Sequence, residues 1–253
     1  MRLAPTKSRE RAVGVIVSKP RSSGRASSGA AQSVWLRRSP TPRNEPPLSR
    51  ERITEAAIAL LDEEGMERLT MRHLAERLGV GATTLYWHID TKDDVIDLAI
   101  DAIFAEAPLP EGDTGSWQEN VVALLSGCRA MLLRHPWSAA LPLRRRPSIG
   151  PNFLTWLEFL QATLARAGFE GRQVQAACWV LYNHVQGSTA SQSSLRWSGT
   201  ERAAAQEQLR MQQDSYPTLV AYEYMLDDAW DENFDLGLKY ILDGLQAQIA
   251  ASH

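Results

Sequence analysis

Between Thr83 and Lys92 the chain sets hydrogen-bonding and aromatic side chains close together: Thr83, Thr84, Tyr86, Trp87, His88 and Lys92. Short hydroxyls, a phenol and an ammonium at this density suit contacts to phosphate oxygens and base edges. Upstream, Thr70 adds a hydroxyl and Arg72 a guanidinium able to meet two acceptors at once. The remaining reactive side chains form no catalytic pattern. GxSxG, HExxH, GxGxxG and P-loop runs are absent, and His73, His88, His135, His184 and His253 do not pair at metal-ligand spacing. Asp227, Asp228, Asp231 and Glu232 fall at a helix start, where complementing the helix dipole accounts for them. Neither an enzyme nor a bound metal or cofactor is expected.

Positioning such a cluster requires short, well-capped elements. Ser49 is placed to cap a helix with Glu51 in its first turn and Ile53, Ala56, Ala57, Leu60 and Leu61 on one face; Gly65 stops it. Thr70 caps a second helix, MRHLAERL, whose Met71, Leu74, Ala75 and Leu78 point inward. After Gly79-Val80-Gly81 a third short helix carries TTLYWHID, and Thr91 with Asp94 makes a capping box for a fourth helix from Lys92 to about Glu106. Two short helices across a glycine-containing turn, behind a supporting helix, form a helix-turn-helix. Its second helix lies in the major groove. Gly81, Ala82, Thr83, Thr84 and Tyr86 then face DNA, and Leu85 and Ile89 face inward. Tyr86 suits a phosphate or a thymine methyl. For Trp87 packing against the fourth helix is the favoured reading, and for His88 packing and backbone contact stand equal.

Charge is divided unevenly. The net of −3 over 253 residues hides a first segment, residues 1–50, with 11 Lys/Arg against 2 Asp/Glu, a net of +9, and a remainder at 16 against 28, a net of −12. An acidic body binds DNA only through a dedicated head. Residues 1–46, rich in Arg, Ser, Gly and Pro, are expected to be disordered, either an arm that touches DNA or the product of an upstream start. No apolar run spans a membrane and no signal-peptide core is present. Cys128 and Cys178 read as buried thiols of a protein in a reducing cytoplasm.

Beyond the fourth helix, Ser116 and Glu119 form a second capping box, for a helix from Trp117 to Arg134 that Pro136 ends. A Pro-rich basic connector follows, then helices near 152–167, 171–194, 200–213 and 228–250. The class is all-α with nine or ten helices: a disordered extension (1–46), a three-helix head (47–93) and a larger helical body (94–253). The last helix carries an apolar stripe of Trp230, Phe234, Leu238, Ile241, Leu245 and Ile249, suited to core or to a dimer seam. Gly237 and Gly244 leave room for another backbone.

LTMRHLAERLGVGATTLYWHIDTKDDVIDLAI (residues 69–100) resembles the DNA-binding motif of the TetR family of bacterial transcriptional repressors. SWQENVVALLSGCRAMLLRH, GPNFLTWLEFLQATLARAGF and FDLGLKYILDGLQAQIAA resemble the regulatory domain of its tetracycline-repressor-like members, so the likeness covers about residues 48–250. It implies a homodimer on a palindromic DNA operator, released by a small-molecule effector. Residue by residue, it implies phosphate near Thr70, base or backbone contact by Arg72, and groove contact by Ala82, Thr83, Thr84 and Tyr86. Trp87 and His88 would lie near the backbone and Lys92 would neutralise a phosphate. Gly81 and Ala82 stand where the tetracycline repressors have longer polar side chains, which shifts base reading to Arg72 and the two threonines.

The effector pocket implied by the resemblance would draw on Trp117, Trp137, Phe153, Trp156 and Phe159, and on Trp179 and Tyr182 of a later helix. Asn183, His184 and Gln186 are its candidate polar anchors. The dimer seam would use Phe234, Leu238, Ile241, Leu245 and Ile249. Tetracycline–magnesium is not the expected effector: Pro142 and Pro108 replace the two histidines of those repressors and Leu124 the drug-binding asparagine, and none offers a ligand atom to a hard cation. Arg144, Arg145 and Arg146 could meet an anion or simply be solvated. A helical interaction scaffold, or a regulator that activates, are the alternatives.

Overall fold

Short caps and apolar spacing fix each element of the head. In the computed structural model, which describes residues 48–110, 115–139 and 148–251, α1 runs Arg50–Glu64. Ser49 Oγ accepts from the Arg52 amide at 3.3 Å, and Gly65, at φ 79°, closes the helix by donating to Leu61. α2 (Met71–Leu78) starts under Thr70, whose Oγ1 accepts from His73 N at 3.1 Å, and ends at Gly79 in the left-handed region, φ 71°. α3 (Ala82–Tyr86) follows an extended Gly81. It is shorter than expected: Trp87 is its C-cap, and His88 lies in the turn that follows. Ile53, Leu60, Leu61, Leu74, Leu85 and Ile89 meet in the middle, fully buried.

α4 (Lys92–Phe104) carries the capping box complete in both directions, Asp94 N to Thr91 Oγ1 at 3.2 Å and Thr91 N to Asp94 Oδ2 at 3.1 Å. It packs on α1 at one side and on the body at the other. The body comprises α5 (Trp117–Arg134), α6 (Pro136–Ala139), α7 (Pro151–Arg166), α8 (Arg172–Ser194), α9 (Gly199–Arg210), α10 (Pro217–Ala221) and α11 (Trp230–Ala251). α8 is its axle, in contact with α5, α6, α7 and α11. No strand occurs among the described residues, and no helix among them is long and apolar enough to cross a membrane. The eleven helices described exceed the nine or ten expected because Pro136 and Pro217 each open a short helix. A proline at the first position has no amide to lose there.

One expectation needs correction. Phe234 and Leu238 are only 2% and 1% exposed within the single protomer, and Ile249 is also buried. These side chains form core on the inner side of α11, which lies against α8, so they have no surface left for a dimer seam. Ile241 and Leu245 are partly buried beside them. Gly237 is used internally as well: a Cβ there would stand 2.7 Å from His184 Cε1, whereas Gly244 is open. A single apolar core runs from Leu48 to Ile249. The extension 1–46, Pro142 and Arg144 to Arg146 lie outside the described residues.

Truncating Leu85, which is fully buried under the reading helix, is expected to cost about 3 kcal/mol through lost contacts and a cavity. Gly79→Ala, at a left-handed residue with open space around it, costs about 1 kcal/mol from backbone strain alone. Both are read as lowered midpoints in urea denaturation. Equal midpoints for the two variants would contradict this account of the turn.

Candidate nucleic-acid interface and aromatic cluster

Leu85 and Ile89 turn inward and anchor α3 and the turn after it, which leaves Tyr86 and Trp87 facing out. Ala82 and Thr83 are exposed, Thr84 is partly buried, and Tyr86 is 48% exposed. Trp87 is 68% exposed, so the favoured packing role for this indole is not what the structure contains. His88 is partly buried, and its Nε2 has no hydrogen-bond partner. Arg72 projects from α2 with its Nε 2.8 Å from Glu76 Oε1. Thr70 Oγ1 accepts the His73 amide and keeps its own O–H to donate. Lys92 is held back: its Nζ donates to the Met66 carbonyl at 3.0 Å, tying the start of α4 to the α1–α2 loop.

The far end of α4 enters the body. Phe104 meets Phe153 edge-on at 5.0 Å between ring centroids and Trp156 at 5.7 Å, and Trp156 meets Tyr182 at 6.1 Å. Trp179, largely exposed, lies 6.1 Å beyond Tyr182, whose hydroxyl accepts from Gln186 Nε2 at 2.7 Å. Phe153, Trp156, Trp179, Tyr182 and Gln186 are therefore together. Trp117 is elsewhere, edge-on to Phe169 and donating to Gln246 on α11 at 3.0 Å. Phe159 is partly buried against the core. Of the other proposed anchors, Asn183 is exposed, and His184 bonds through Nε2 to the Phe234 carbonyl at 2.9 Å while stacking on that ring. Leu124 is fully buried, and among the described residues no group of three or more His, Cys, Asp and Glu could hold a metal.

Two polar junctions were not legible beforehand. His135, the C-cap of α5, is buried with Nδ1 2.8 Å from Asp62 of α1 and Nε2 3.2 Å from Glu106 just beyond α4. Trp137 Nε1 donates to the same Asp62 oxygen at 2.7 Å, so this indole belongs to the head–body joint and not to the aromatic cluster. Burial raises the Glu106 pKa, but hydrogen bonds from Arg134 and His135 outweigh it and hold the carboxyl below its ordinary value. The second junction is Asp101. Its Oδ1 accepts the Phe153 amide at 3.0 Å and its Oδ2 the Asn152 side chain at 3.0 Å, capping α7 from another helix. Gly150, before α7, has no side chain because a Cβ would overlap the Asp101 carboxylate. The signal was present: acidic residues at 94, 97 and 101 inside an otherwise apolar helix, and an α7 start with no cap of its own.

Two family models match this chain. "Bacterial regulatory proteins, tetR family" covers residues 53–99, and "Tetracyclin repressor-like, C-terminal domain" covers 109–249. The chain belongs to the TetR family of bacterial regulatory proteins. An "HTH-type transcriptional regulator" of Saccharopolyspora erythraea is 42% identical over 224 residues, 87% of this chain and 94% of that one. The class E tetracycline repressor protein of Escherichia coli is 31% identical over 80% of this chain and 92% of its own length. Among solved structures, the TetR family protein ActR of Streptomyces coelicolor, in complex with actinorhodin, superposes with a TM-score of 0.74 at 30% identity, covering 81% of this chain and 99% of ActR. Like the rest of its TetR family, the protein is a DNA-binding transcriptional regulator and not an enzyme.

Removing the Asp101 cap leaves the Phe153 amide and the Asn152 side chain without their acceptor. Asp101→Ala is expected to cost about 2 kcal/mol. In a chain of this size that is roughly a 4–8 °C fall in Tm, read by calorimetry. An unchanged Tm would show that the cap does not hold α7.

Proposed function

We propose that the protein is a cytoplasmic, homodimeric repressor that holds a palindromic operator until a small aromatic molecule, not tetracycline–magnesium, binds its body and releases it. The observation that carries this reading is the course of α4. At its start Lys92 is bonded to the head through the Met66 carbonyl, and at its end Phe104 sits among Phe153 and Trp156. A ligand that moves Phe104 moves the element that holds the head. Two of the relatives named above, a tetracycline repressor and a protein solved with actinorhodin, support a small-molecule effector.

Thr83, Thr84, Tyr86 and Trp87 form the groove-facing set, with Ala82 close to the backbone and Thr70, Arg72, His88 and Lys92 at its edges. Dimerisation uses the outer faces of the paired helices α8 and α11. Trp179 and Val180 on the first, and Leu236 and Tyr240 on the second, are large apolar side chains left exposed in one protomer. A second copy related by a two-fold axis would cover them and set two heads about one DNA turn, roughly 34–36 Å, apart.

The test is an electrophoretic mobility shift on the DNA upstream of the protein's own and neighbouring genes. Tyr86→Ala is expected to weaken binding about tenfold, and Lys92→Ala to lower the slope of log affinity against log salt by about one. A Tyr86→Ala/Lys92→Ala double variant that binds like the parent would sink the reading head. For the assembly, Tyr240→Glu is expected to convert a dimeric mass in light scattering to a monomeric one. A parent protein that is monomeric at micromolar concentration would refute the dimer.

A further inference from the structure

Trp156 is 1% exposed, and its indole N–H has no hydrogen-bond partner. An indole N–H is a donor only and usually finds an acceptor when buried. Around Tyr182, whose ring it meets, a second polar atom is in the same condition. Gln186 donates through Nε2 to the Tyr182 hydroxyl, and its buried Oε1 accepts nothing. Buried polar atoms without partners are uncommon, and two of them on one ring cluster call for an explanation. The groups in ring contact here (Phe104, Phe153, Trp156, Tyr182 and Trp179) are uncharged. Burial pushes the Cys128 thiol up to about 12 and the Cys178 thiol up to about 11, and it also raises the Tyr182 phenol, so all three stay protonated at neutral pH.

We infer that Trp156 Nε1–H and Gln186 Oε1 are a donor and an acceptor reserved for the effector, which is a neutral, flat, hydroxylated aromatic ketone or quinone. Its carbonyl accepts from the indole and its hydroxyl donates to the amide, while its rings lie among Phe104, Phe153 and Tyr182. No metal ion takes part. This rests on the effector-responsive reading above and assigns the polar selectivity of that site. His184 and Asn183 have no such role, the first bound to the Phe234 carbonyl and the second exposed.

2,6-Dihydroxyanthraquinone, whose hydroxyls stand away from its carbonyls and are free to donate, serves as probe at pH 6, with unsubstituted anthraquinone as control and isothermal calorimetry in the presence of a chelator as readout. The dihydroxy compound is expected to bind the full chain and anthraquinone to bind at least tenfold more weakly. Trp156→Phe removes the donor together with the five-membered half of the indole, and Gln186→Leu removes the acceptor; each is expected to weaken the dihydroxy compound about tenfold. Gln186→Leu is also expected to bring the two quinones to equal affinity, a selectivity that a loss of packing alone would not remove. Equal affinity for the dihydroxy compound in either variant and the parent, equal affinity of the parent for the two quinones, no binding of the dihydroxy compound, or binding only with magnesium would each overturn the inference. A mobility shift on operator DNA, run on the same samples, separates the two readings: DNA binding without quinone binding ends this inference and leaves the regulator intact.

Discussion

Asp101 places a buried carboxylate in the second half of α4, and that carboxylate caps the N-terminus of α7. The arrangement joins two elements that the chain separates by some fifty residues. It fixes α4 lengthwise as well as sideways, since the carboxylate has to meet the Phe153 amide and the Asn152 side chain together. Burial raises the Asp101 pKa, while the hydrogen bonds from Phe153 and Asn152 at the start of α7 pull against that rise. Gly150 is the counterpart of this constraint: a residue with a Cβ would displace the carboxylate and with it the register of α4.

With α4 held at Asp101, its two ends inherit defined positions. Toward the head, the reciprocal bonds of Thr91 and Asp94 set where the helix begins, and Lys92 reaches back to the Met66 carbonyl. Toward the body, Phe104 lands among the aromatic rings, and Glu106, just past the helix, meets His135 and Arg134. His135 also reaches Asp62 on α1, so the head is attached to the body by a polar joint in addition to α4. Three acidic or aromatic groups from three elements converge on one buried imidazole. Such a joint is geometrically selective, because each hydrogen bond weakens steeply when its angle is lost.

The head was readable from the sequence because its rules are local. A cap at Ser49, at Thr70 and at Thr91, a stop at Gly65 and at Gly79, and apolar residues three and four apart specify elements without knowledge of the rest of the chain. The direction of Leu85 and Ile89 followed from the same periodicity, and with it the exposure of Thr83 and Tyr86. What was not readable depends on contacts between distant segments. Periodicity marks Phe234 and Leu238 as apolar without saying which partner covers them, and α8 of the same protomer does so. Eight tryptophans look alike in a sequence. Trp137 was drawn away by Asp62 and Trp117 by Gln246, while Trp156, buried in the ring cluster, has an N–H without a partner. Helix ends were also misjudged where proline both stops one helix and starts the next, as at Pro136.

The same geometry bounds how the proposed switch can work. Moving a two-state equilibrium from 1:99 to 99:1 takes about 5.5 kcal/mol of differential affinity for the two states. Loss of one neutral hydrogen bond contributes about 1 kcal/mol, so no single contact in the aromatic cluster suffices. Phe104 stands one turn from Asp101 and two residues before Glu106. In the proposed switch, a ligand wedged against Phe104 would load the α7 cap and the His135 joint together. A softer linkage would let α4 give way gradually and leave the head bound. In that proposal the buried carboxylate would serve the switch as well as the fold, because displacing Phe104 would pull on the bonds by which Asp101 holds α7.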